Sequence, residues 1–224
     1  MTEFLTVIIP VHNGCAFIDR ALQSVFCELP NANVVIVENG SSDNSIEILE
    51  EIVNPKVKIL SQSEANKCSA RNAGAFASNT RYITFLDQDD EISAKRAEYV
   101  KYLENDEWDV VVGTQEFVLS EAKMIPPYFK SVIDSGKPLY APMTMVIERI
   151  KYLDLGGFNE KHRYAEDFEL MTRVNEKGLR VKYVEESSLI RHFHDNNDSR
   201  NIELSRQELF KVLRARTHRA SGSA

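Results

Sequence analysis

Three carboxylates follow an apolar run closely enough to share one ligand. The run Tyr82–Leu86 predicts a buried strand, and Asp87, Asp89 and Asp90 come directly after it. Carboxylates this close repel one another unless a cation or a donor-rich ligand neutralises them, and ligation by oxygen alone suits Mg²⁺ or Mn²⁺. An acidic turn that caps a helix near Ser93 would have the same composition. The residue types alone therefore leave a metal site and a capping turn both open.

Polar side chains also follow two earlier apolar runs. His12 comes after the run Thr6–Val11, and Asn39 comes after the run Val34–Val37. Ligands of an open α/β sheet bind beyond the carboxyl ends of its strands, so we expect these side chains to face the same crevice as the carboxylates. Asn39 can both donate and accept, which suits the edge of a base such as uracil. Arg71, in a small-residue helix, is either a phosphate or base contact or an ordinary surface ion pair.

The elements that must position these residues alternate along the chain. The apolar runs predict strands at about 6–11, 34–37, 57–60, 82–86, 109–112 and 180–184, and helical spacing predicts helices at about 17–25, 43–52, 67–77, 93–103, 148–155 and 166–177. This order predicts an α/β fold, a doubly wound and mostly parallel sheet flanked by helices with right-handed crossovers. Four prolines, at 126, 127, 138 and 142, predict a long surface connection in the second half.

Composition excludes several classes of protein. The 224 residues carry a formal charge of −7, which argues against a nucleic-acid binder. Neither GxxxxGK[ST] nor GxGxxG occurs, so a metal would have to screen the phosphates of any bound nucleotide. Cys15, Cys27 and Cys68 lack the spacing of a zinc site or a redox pair. With neither a signal peptide nor a long apolar segment visible, we expect a cytoplasmic protein.

The acidic chain ends in a basic segment. Six basic and two acidic residues lie between Arg200 and Ala224, beside an apolar stripe that includes Leu209 and Val212. This pattern favours a helical tail that packs on the domain or on a partner subunit, which would make a homodimer. The alternative is a helix that lies on an anionic membrane surface, which would make the protein peripheral at the inner face of the membrane.

Six short motifs in one order carry a resemblance to a known family. The chain resembles family 2 glycosyltransferases of GT-A fold in the segments Val7–Asn13, Val37–Asp43, Ala70–Gly74, Phe85–Asp90, Gly156–Glu160 and Glu166–Leu170. The likeness spans about residues 6–199. It implies one GT-A domain over 1–199, with a nucleotide-binding half of about 1–112 and an acceptor half of about 113–199, followed by the basic tail at 200–224.

The resemblance implies an inverting, metal-dependent hexosyl- or N-acetylhexosaminyltransferase. Its donor would be a nucleotide-diphosphate sugar, with a UDP-sugar favoured, and its acceptor a glycan or a lipid-linked hydroxyl in polysaccharide or glycoconjugate synthesis. The motif Asp87-Gln88-Asp89 matches the family's DxD motif, which implies Mn²⁺ or Mg²⁺ as cofactor. Nucleic acid is not an expected partner.

Site roles follow residue by residue from the same resemblance. The implied nucleotide-binding residues are Pro10, His12, Asn39, Arg71, Asp87 and Gln88, and the implied metal ligands are Asp89 and His194, with His192 as second choice. Asp167 is the implied catalytic base, and the dipole of the helix beginning there should favour its ionised form. Glu166 and Gly157 would contact the donor or acceptor sugar, and Met143, Thr144 and Tyr164 would border the acceptor cleft.

Two other functions share this architecture. A nucleotidyltransferase also combines an α/β fold with metal carboxylates, but that class usually carries a basic, glycine-rich loop after the first strand, and the segment Pro10–Gly14 has no basic residue. A non-catalytic protein that binds a nucleotide sugar is the second alternative. The joint presence of Asp87, Asp89 and Asp167 favours an enzyme over this alternative.

Overall fold

The computed structural model describes residues 4–119, 125, 127–194, 197 and 201–221. The sequence-based expectations for Pro126, Ser199 and Arg200 lie outside these residues. One sheet of eight strands forms the centre: β1 Leu5–Val11, β2 Asn33–Asn39, β3 Val57–Gln62, β4 Tyr82–Phe85, β5 Glu91–Ile92, β6 Val110–Val118, β7 Val146–Glu148 and β8 Val181–His192. The described part of the chain also forms the α-helices α1 Ile18–Glu28, α2 Ser45–Glu50, α3 Lys67–Ala77, α4 Lys95–Glu104, α5 Pro127–Asp134, α6 Arg149–Asp154, α7 Glu166–Glu176 and α8 Ile202–Ser221.

The sheet is mixed, with strand order β3-β2-β1-β4-β7-β6-β8-β5. Strands β3, β2, β1 and β4 are parallel, as the alternation of strands and helices predicts. Strand β7 is antiparallel to both of its neighbours, β4 and β6, while β6 and β8 are parallel. Because β7 is antiparallel to both β4 and β6, the strands β6 and β8 run in the same direction as β4, and only β7 and the edge strand β5 of this described sheet run the opposite way. The carboxyl ends of β1, β2, β4 and β8 therefore meet at one edge of the sheet.

Burial on both faces explains why the first strands are apolar throughout. All seven residues of β1 are buried, and Val34 and Ile36 of β2 join the same core as the apolar side chains of β4. On the other face of β2, Val35 and Val37 pack with Ala70 of α3 in a second, smaller cluster. Helix α3 packs on β1 and β2, and Gly74 lies so close to Ile8 that a Cβ atom would clash with its side chain. The α/β class predicted from the sequence is confirmed, and these buried strands fix the positions of the polar residues that follow them.

The second half departs from the predicted elements. Strand β8 runs through His192, well beyond the predicted end near Val184, because β6 pairs with it as far as His192 and the edge strand β5 pairs with Leu189 and Ile190. The proline-rich stretch contains helix α5 and a short 3₁₀ turn at Pro142–Thr144 rather than a connection alone. Strands β5 and β7 were not expected, since two or three residues carry no periodicity.

A buried arginine that the sequence analysis did not single out connects the two halves. Arg96 is fully buried and donates hydrogen bonds to Thr84 Oγ1, Phe85 O and Met143 O, and also to the side chain and carbonyl of Ser188. Burial lowers its pKa to about 10, which leaves the guanidinium charged at neutral pH. Its five hydrogen bonds hold the end of β4, and thus the start of the acidic loop, against β8.

Candidate active site

One cavity of about 1370 Å³ lies at the edge where these strands end. Most of the predicted site residues line it, namely Pro10, His12, Asn39, Arg71, Asp87, Gln88, Asp89, Glu166, Asp167 and His194. Met143 and Tyr164, predicted to border the acceptor cleft, line it as well. The structure therefore brings together residues that are up to 184 positions apart in the sequence.

The acidic loop after β4 forms a compact group that we call the metal-side cluster, Asp87, Asp89 and Asp90. One carboxylate oxygen from each lies within 4.8 Å of the others. Burial and the charge of Asp89 raise the pKa of Asp90 well above its ordinary value, whereas Arg71 and Lys67 lower the pKa of Asp87 despite its burial. These oxygens are the ligand type that Mg²⁺ and Mn²⁺ prefer, and a cation would relieve the repulsion that Asp90 experiences. The residues fit a divalent metal ion.

Histidines from the end of β8 approach this cluster. His194 Nε2 lies 2.8 Å from Asp89 Oδ2, and Asn197 Nδ2 donates to the same oxygen at 3.0 Å. The ring of Phe17 stacks on His194 with centroids 4.7 Å apart, which fixes the orientation of the imidazole. His192 instead points its Nε2 to Glu91 Oε1 at 2.6 Å and does not line the cavity. The geometry favours His194 over His192 as a ligand beside Asp89.

Asp167 lies across the cavity in what we call the base-side turn, residues 163–167. This turn leads into α7, and Asp167 is the second residue of that helix. Its Oδ1 atom is buried and has no hydrogen-bond partner among the residues that the structure describes. Burial and the charge of Glu166 raise the pKa of Asp167 to about 6. The effect of burial thus outweighs the helix dipole from which the sequence predicts easier ionisation, although the carboxylate is still mostly ionised at neutral pH.

Glu166, beside Asp167, forms ion pairs with two cationic side chains. Lys67 Nζ lies 2.5 Å from Glu166 Oε1, and Arg71 NH1 lies 3.4 Å from the same oxygen. Arg71 is fully buried and also bonds Asp87 Oδ1 through NH2 at 2.5 Å. Arg71 therefore joins the metal-side cluster to the base-side turn. Of the two readings that the sequence left open for Arg71, a surface ion pair is excluded by this burial.

The side-chain amide of Asn39, which lines the cavity, is fixed by hydrogen bonds. Its Oδ1 accepts hydrogen bonds from Gln62 Nε2 at 2.6 Å and from the backbone N–H of Asn66 at 3.0 Å. Gln62 Nε2 also donates to the carbonyl oxygens of Glu64 and Asn66, which fixes that amide. Because both partners of Asn39 Oδ1 are donors, the orientation of the Asn39 amide is set, and its Nδ2 group is left as a donor.

Gln88 and His12 support each other at the mouth of the cavity. The Gln88 side chain accepts from the backbone N–H of His12 at 2.8 Å and donates to the His12 carbonyl at 3.0 Å. The His12 ring places Nδ1 2.9 Å from the carbonyl oxygen of Asn39, so Nδ1 carries the proton. Gln88, the middle residue of the predicted DxD motif, thus connects the loops after β1 and β4.

Gly157 and Thr144 do not line the cavity that the structure describes. Gly157 adopts a positive φ of 67° after α6, where a Cβ atom would clash with Asn72 Oδ1. That oxygen accepts from Tyr152 Oη at 2.7 Å and from the N–H of Phe158 at 2.8 Å. The glycine is needed for this buried turn, so the geometry gives no support to the predicted contact with a sugar.

Helix α8 supplies residues that the sequence analysis missed. Ser205, Arg206, Leu209 and Arg216 line the cavity beside the base-side turn, and Glu208 bonds the backbone of that turn. These contacts join segments 40 or more residues apart, and no local pattern signals them. A basic helix with an apolar stripe was the only available sign.

Comparison with models of known protein families identifies the family of this chain. Residues 6–145, more than half of the chain, match the family model described as glycosyl transferase family 2. The chain belongs to glycosyl transferase family 2. The enzyme class that the sequence motifs imply, a family 2 glycosyltransferase, is thereby confirmed.

Curated relatives of this family 2 chain are long proteins. A chondroitin synthase and a hyaluronan synthase of Pasteurella multocida are each 24% identical to it over 221 residues. Each alignment covers 93% of this chain but only 23% and 22%, respectively, of those proteins. The chain thus spans about a quarter of the length of these relatives. An uncharacterized glycosyltransferase of Bacillus subtilis, EpsJ, is 24% identical over 89% of this chain and 63% of its own length.

Solved structures confirm the fold. Residues 1–349 of S. aureus TarS in complex with UDP-GlcNAc superpose with a TM-score of 0.74 at 18% sequence identity, covering 94% of this chain and 64% of that one. A TarS structure in complex with UDP superposes with a TM-score of 0.65. The mixed sheet flanked by helices is the GT-A arrangement expected for the family. Of the helices that the structure describes, none combines the length and the apolar character needed to cross a membrane.

Proposed function

We propose that this family 2 domain transfers a sugar from a UDP-sugar to a hydroxyl group of a growing polysaccharide, with inversion at the anomeric carbon. The observation that carries the proposal is the pairing, across one cavity, of the metal-side cluster with Asp167, whose buried Oδ1 has no partner among the described residues. The relatives named for chondroitin and hyaluronan synthesis support a role in polysaccharide synthesis.

The donor is proposed to be a UDP-sugar, with UDP-N-acetylglucosamine as the first one to test. TarS, which shares the fold, has been solved with UDP-GlcNAc and with UDP. In this chain the Nδ2 donor of Asn39 suits a carbonyl oxygen of uracil, and the exposed ring of His12 offers a face for stacking. Arg71, already shared between Asp87 and Glu166, keeps positive charge beside the expected diphosphate.

Asp89 and His194, with Asp87 and Asp90, would hold the divalent metal ion. When bound, such an ion supplies charge stabilisation to the departing diphosphate. The other carboxylates of the site have charged or hydrogen-bonding partners, so they suit binding rather than proton transfer. This division of roles is proposed from the contacts of Asp87 with Arg71, of Asp89 with His194 and of Glu166 with Lys67.

Asp167 is the proposed general base. The acceptor hydroxyl oxygen attacks the anomeric carbon and forms the new glycosidic bond, while the bond from that carbon to the phosphate oxygen breaks and UDP leaves with the electron pair. The hydroxyl proton passes to Asp167, whose pKa of about 6 leaves it ionised and basic at neutral pH. Attack on the face opposite the leaving group inverts the anomeric configuration.

The test is a donor screen with product analysis. Purified protein with Mn²⁺ and a chondroitin or hyaluronan oligosaccharide is incubated with UDP-GlcNAc, UDP-GalNAc, UDP-glucose or UDP-glucuronate, with GDP-mannose as the matched control donor. We expect UDP release from at least one UDP-sugar and a β-linked product, seen by NMR, from the α-linked donor. Tight UDP binding without turnover of any donor would favour the non-catalytic alternative, and pyrophosphate release from UTP and a sugar phosphate would favour a nucleotidyltransferase.

A further inference from the structure

A single carboxylate of α8 accepts hydrogen bonds from three consecutive backbone N–H groups. Glu208 Oε2 accepts the N–H groups of Arg163 at 2.9 Å, Tyr164 at 2.8 Å and Ala165 at 3.1 Å. The Glu208 side chain is only 16% exposed. Successive N–H groups turned toward one point form a concave anion-binding surface, and hydrogen bonds to an ionised acceptor are the stronger kind. This oxygen therefore fixes the conformation of the base-side turn.

The base-side turn needs such an external acceptor because its own sequence does not supply one. Helix α7 begins at Glu166, and its N-cap, Ala165, has no side chain that could accept a hydrogen bond from the first turn. The N–H groups at and before a helix start lack partners within the helix. A carboxylate near a helix N-terminus is also favoured by the helix dipole. Glu208 thus does for Arg163 to Ala165 what a local capping side chain would otherwise do.

The hydrogen bond between Glu208 and the N–H of Ala165 acts two residues before Asp167, the proposed base. Ala165 is held by Glu208 at its N–H, and its carbonyl accepts the N–H of Glu169 inside α7. Asp167 lies between these two anchored points, in the first turn of α7. A change at Ala165 therefore rotates or shifts the backbone from which the Asp167 carboxylate projects. Helix α8 itself is anchored by Val212, which is 2% exposed.

We propose that Glu208 is a positioning residue that holds the base-side turn and thereby orients Asp167. The inference rests on the proposed function, in which Asp167 is the general base. Through this one acidic side chain, the basic tail would influence the orientation of the general base.

The test compares Glu208→Ala and Glu208→Gln with Glu203→Ala, an exposed acid of the same helix that bonds only Gln207 among the described side chains. Amide hydrogen exchange is followed by mass spectrometry in peptides covering residues 163–165, with no nucleotide sugar present. Losing three net hydrogen bonds should speed exchange there at least about 10-fold in Glu208→Ala. The neutral oxygen of Glu208→Gln should give a smaller increase, and Glu203→Ala should match the wild type.

Kinetics of UDP release distinguishes positioning from a merely structural role. A misplaced base should lower kcat by up to about 100-fold in Glu208→Ala. Glu208→Gln should recover part of that loss, and KM for the UDP-sugar should stay within twofold, because the nucleotide side of the cavity is not touched. Either wild-type exchange at residues 163–165 in both Glu208 variants, or wild-type kcat in both, would overturn the proposal.

The proposed glycosyl transfer and the positioning role of Glu208 are tested by different measurements. If the wild-type protein turns over no donor, the proposed function fails, and the exchange measurement alone still decides whether Glu208 holds the turn. If Glu208→Ala does not fold, as judged by circular dichroism, the isosteric Glu208→Gln keeps both measurements available. Faster exchange with lower kcat in that variant supports the proposal, and wild-type values for either quantity overturn it.

Discussion

The metal-side cluster and Asp167 of the base-side turn line the same cavity, but their carboxylates differ in how many hydrogen-bond partners they have. Asp87 is bonded by Arg71, Asp89 by His194 and Asn197, and Asp90 by the N–H of His192. Asp167 keeps a buried oxygen that no described residue bonds. A carboxylate with fixed partners can hold a cation or a ligand, whereas one with an unbonded oxygen keeps a lone pair that can receive a proton.

Neighbouring residues show the same contrast within one helix turn. Glu166 and Asp167 are adjacent, yet Lys67 and Arg71 both reach Glu166. The charge left on Glu166 then helps to raise the pKa of Asp167. The pair thus divides into a bonded acid and a basic one, which is a common way to separate roles between two acids.

The largest expected effect comes from replacing the carboxylate of Asp167. Asp167→Asn keeps the shape of the side chain but cannot accept the hydroxyl proton, so kcat should fall about 100- to 10,000-fold. The affinity for UDP should not change, because the nucleotide side is intact. Steady-state UDP release and calorimetry of UDP binding measure the two quantities. Asp154→Asn, at an exposed aspartate of α6, is the matched control.

A wild-type rate in Asp167→Asn would show that the open oxygen of Asp167 is not the proton acceptor. A parallel loss of UDP affinity would mean instead that the two regions are not separate in function.

A second effect should come from the metal-side cluster. Asp89→Asn keeps the contacts to His194 and Asn197 but removes one charge from the cluster. We expect UDP release to fall about 100-fold, as for the loss of a strong electrostatic contribution. Thermal unfolding with and without Mn²⁺ should show that the metal raises Tm of the wild type but not of the variant, because only a ligand that binds the folded state stabilises it.

Asp154→Ala should keep the full Mn²⁺ response. If Mn²⁺ raises Tm of Asp89→Asn as much as that of the wild type, the cation binds elsewhere. The metal-side cluster would then not be the metal site.

The smallest expected effect is on stability and depends on pH. The pKa of Asp167 is about 6 in the folded protein against an ordinary value of 3.8, so the folded state binds the proton more tightly than the unfolded state. The stabilisation from Asp167 is complete below pH 3.8 and is lost as the pH rises through 6. Asp167→Asn avoids this loss and should be about 1–3 kcal/mol more stable than the wild type at pH 8.

Urea unfolding at pH 8 and at pH 4 measures this difference, which should shrink at the lower pH. A variant that is less stable than the wild type at pH 8 would show that Asp167 is bonded in the folded state, contrary to the contrast drawn above.

How far the sequence predicts this molecule depends on the distance over which each feature is determined. Helix α3 was predicted at 67–77 and is observed at Lys67–Ala77, because its small residues and periodicity are local. The acidic loop after β4 was predicted for the same reason. Strand β7 has three residues, and its reversed direction depends on pairing with β4 and β6. That information lies in the rest of the sheet.

The candidate site shows the same division. Motifs that follow strands place Asp87, Asp89 and Asn39 correctly at the cavity. Three other features depend on which side chains meet across the fold. They are the unbonded oxygen of Asp167, the burial of Arg71 and the hydrogen bonds from the base-side turn to Glu208. The roles of the individual site residues and the division of the chain into a domain and a tail stay predictions.

The cavity wall includes both Pro10 and Arg216, and this has a consequence for how the protein is made. A ribosome produces the chain from its N-terminus, so β1 to β4 can pair and bury their apolar faces early. The wall contributed by α8, with Glu208, exists only after residue 216 has been synthesised. A nascent chain therefore forms the part of the wall that follows β1, β2 and β4 before α8 and its Glu208 can reach the base-side turn.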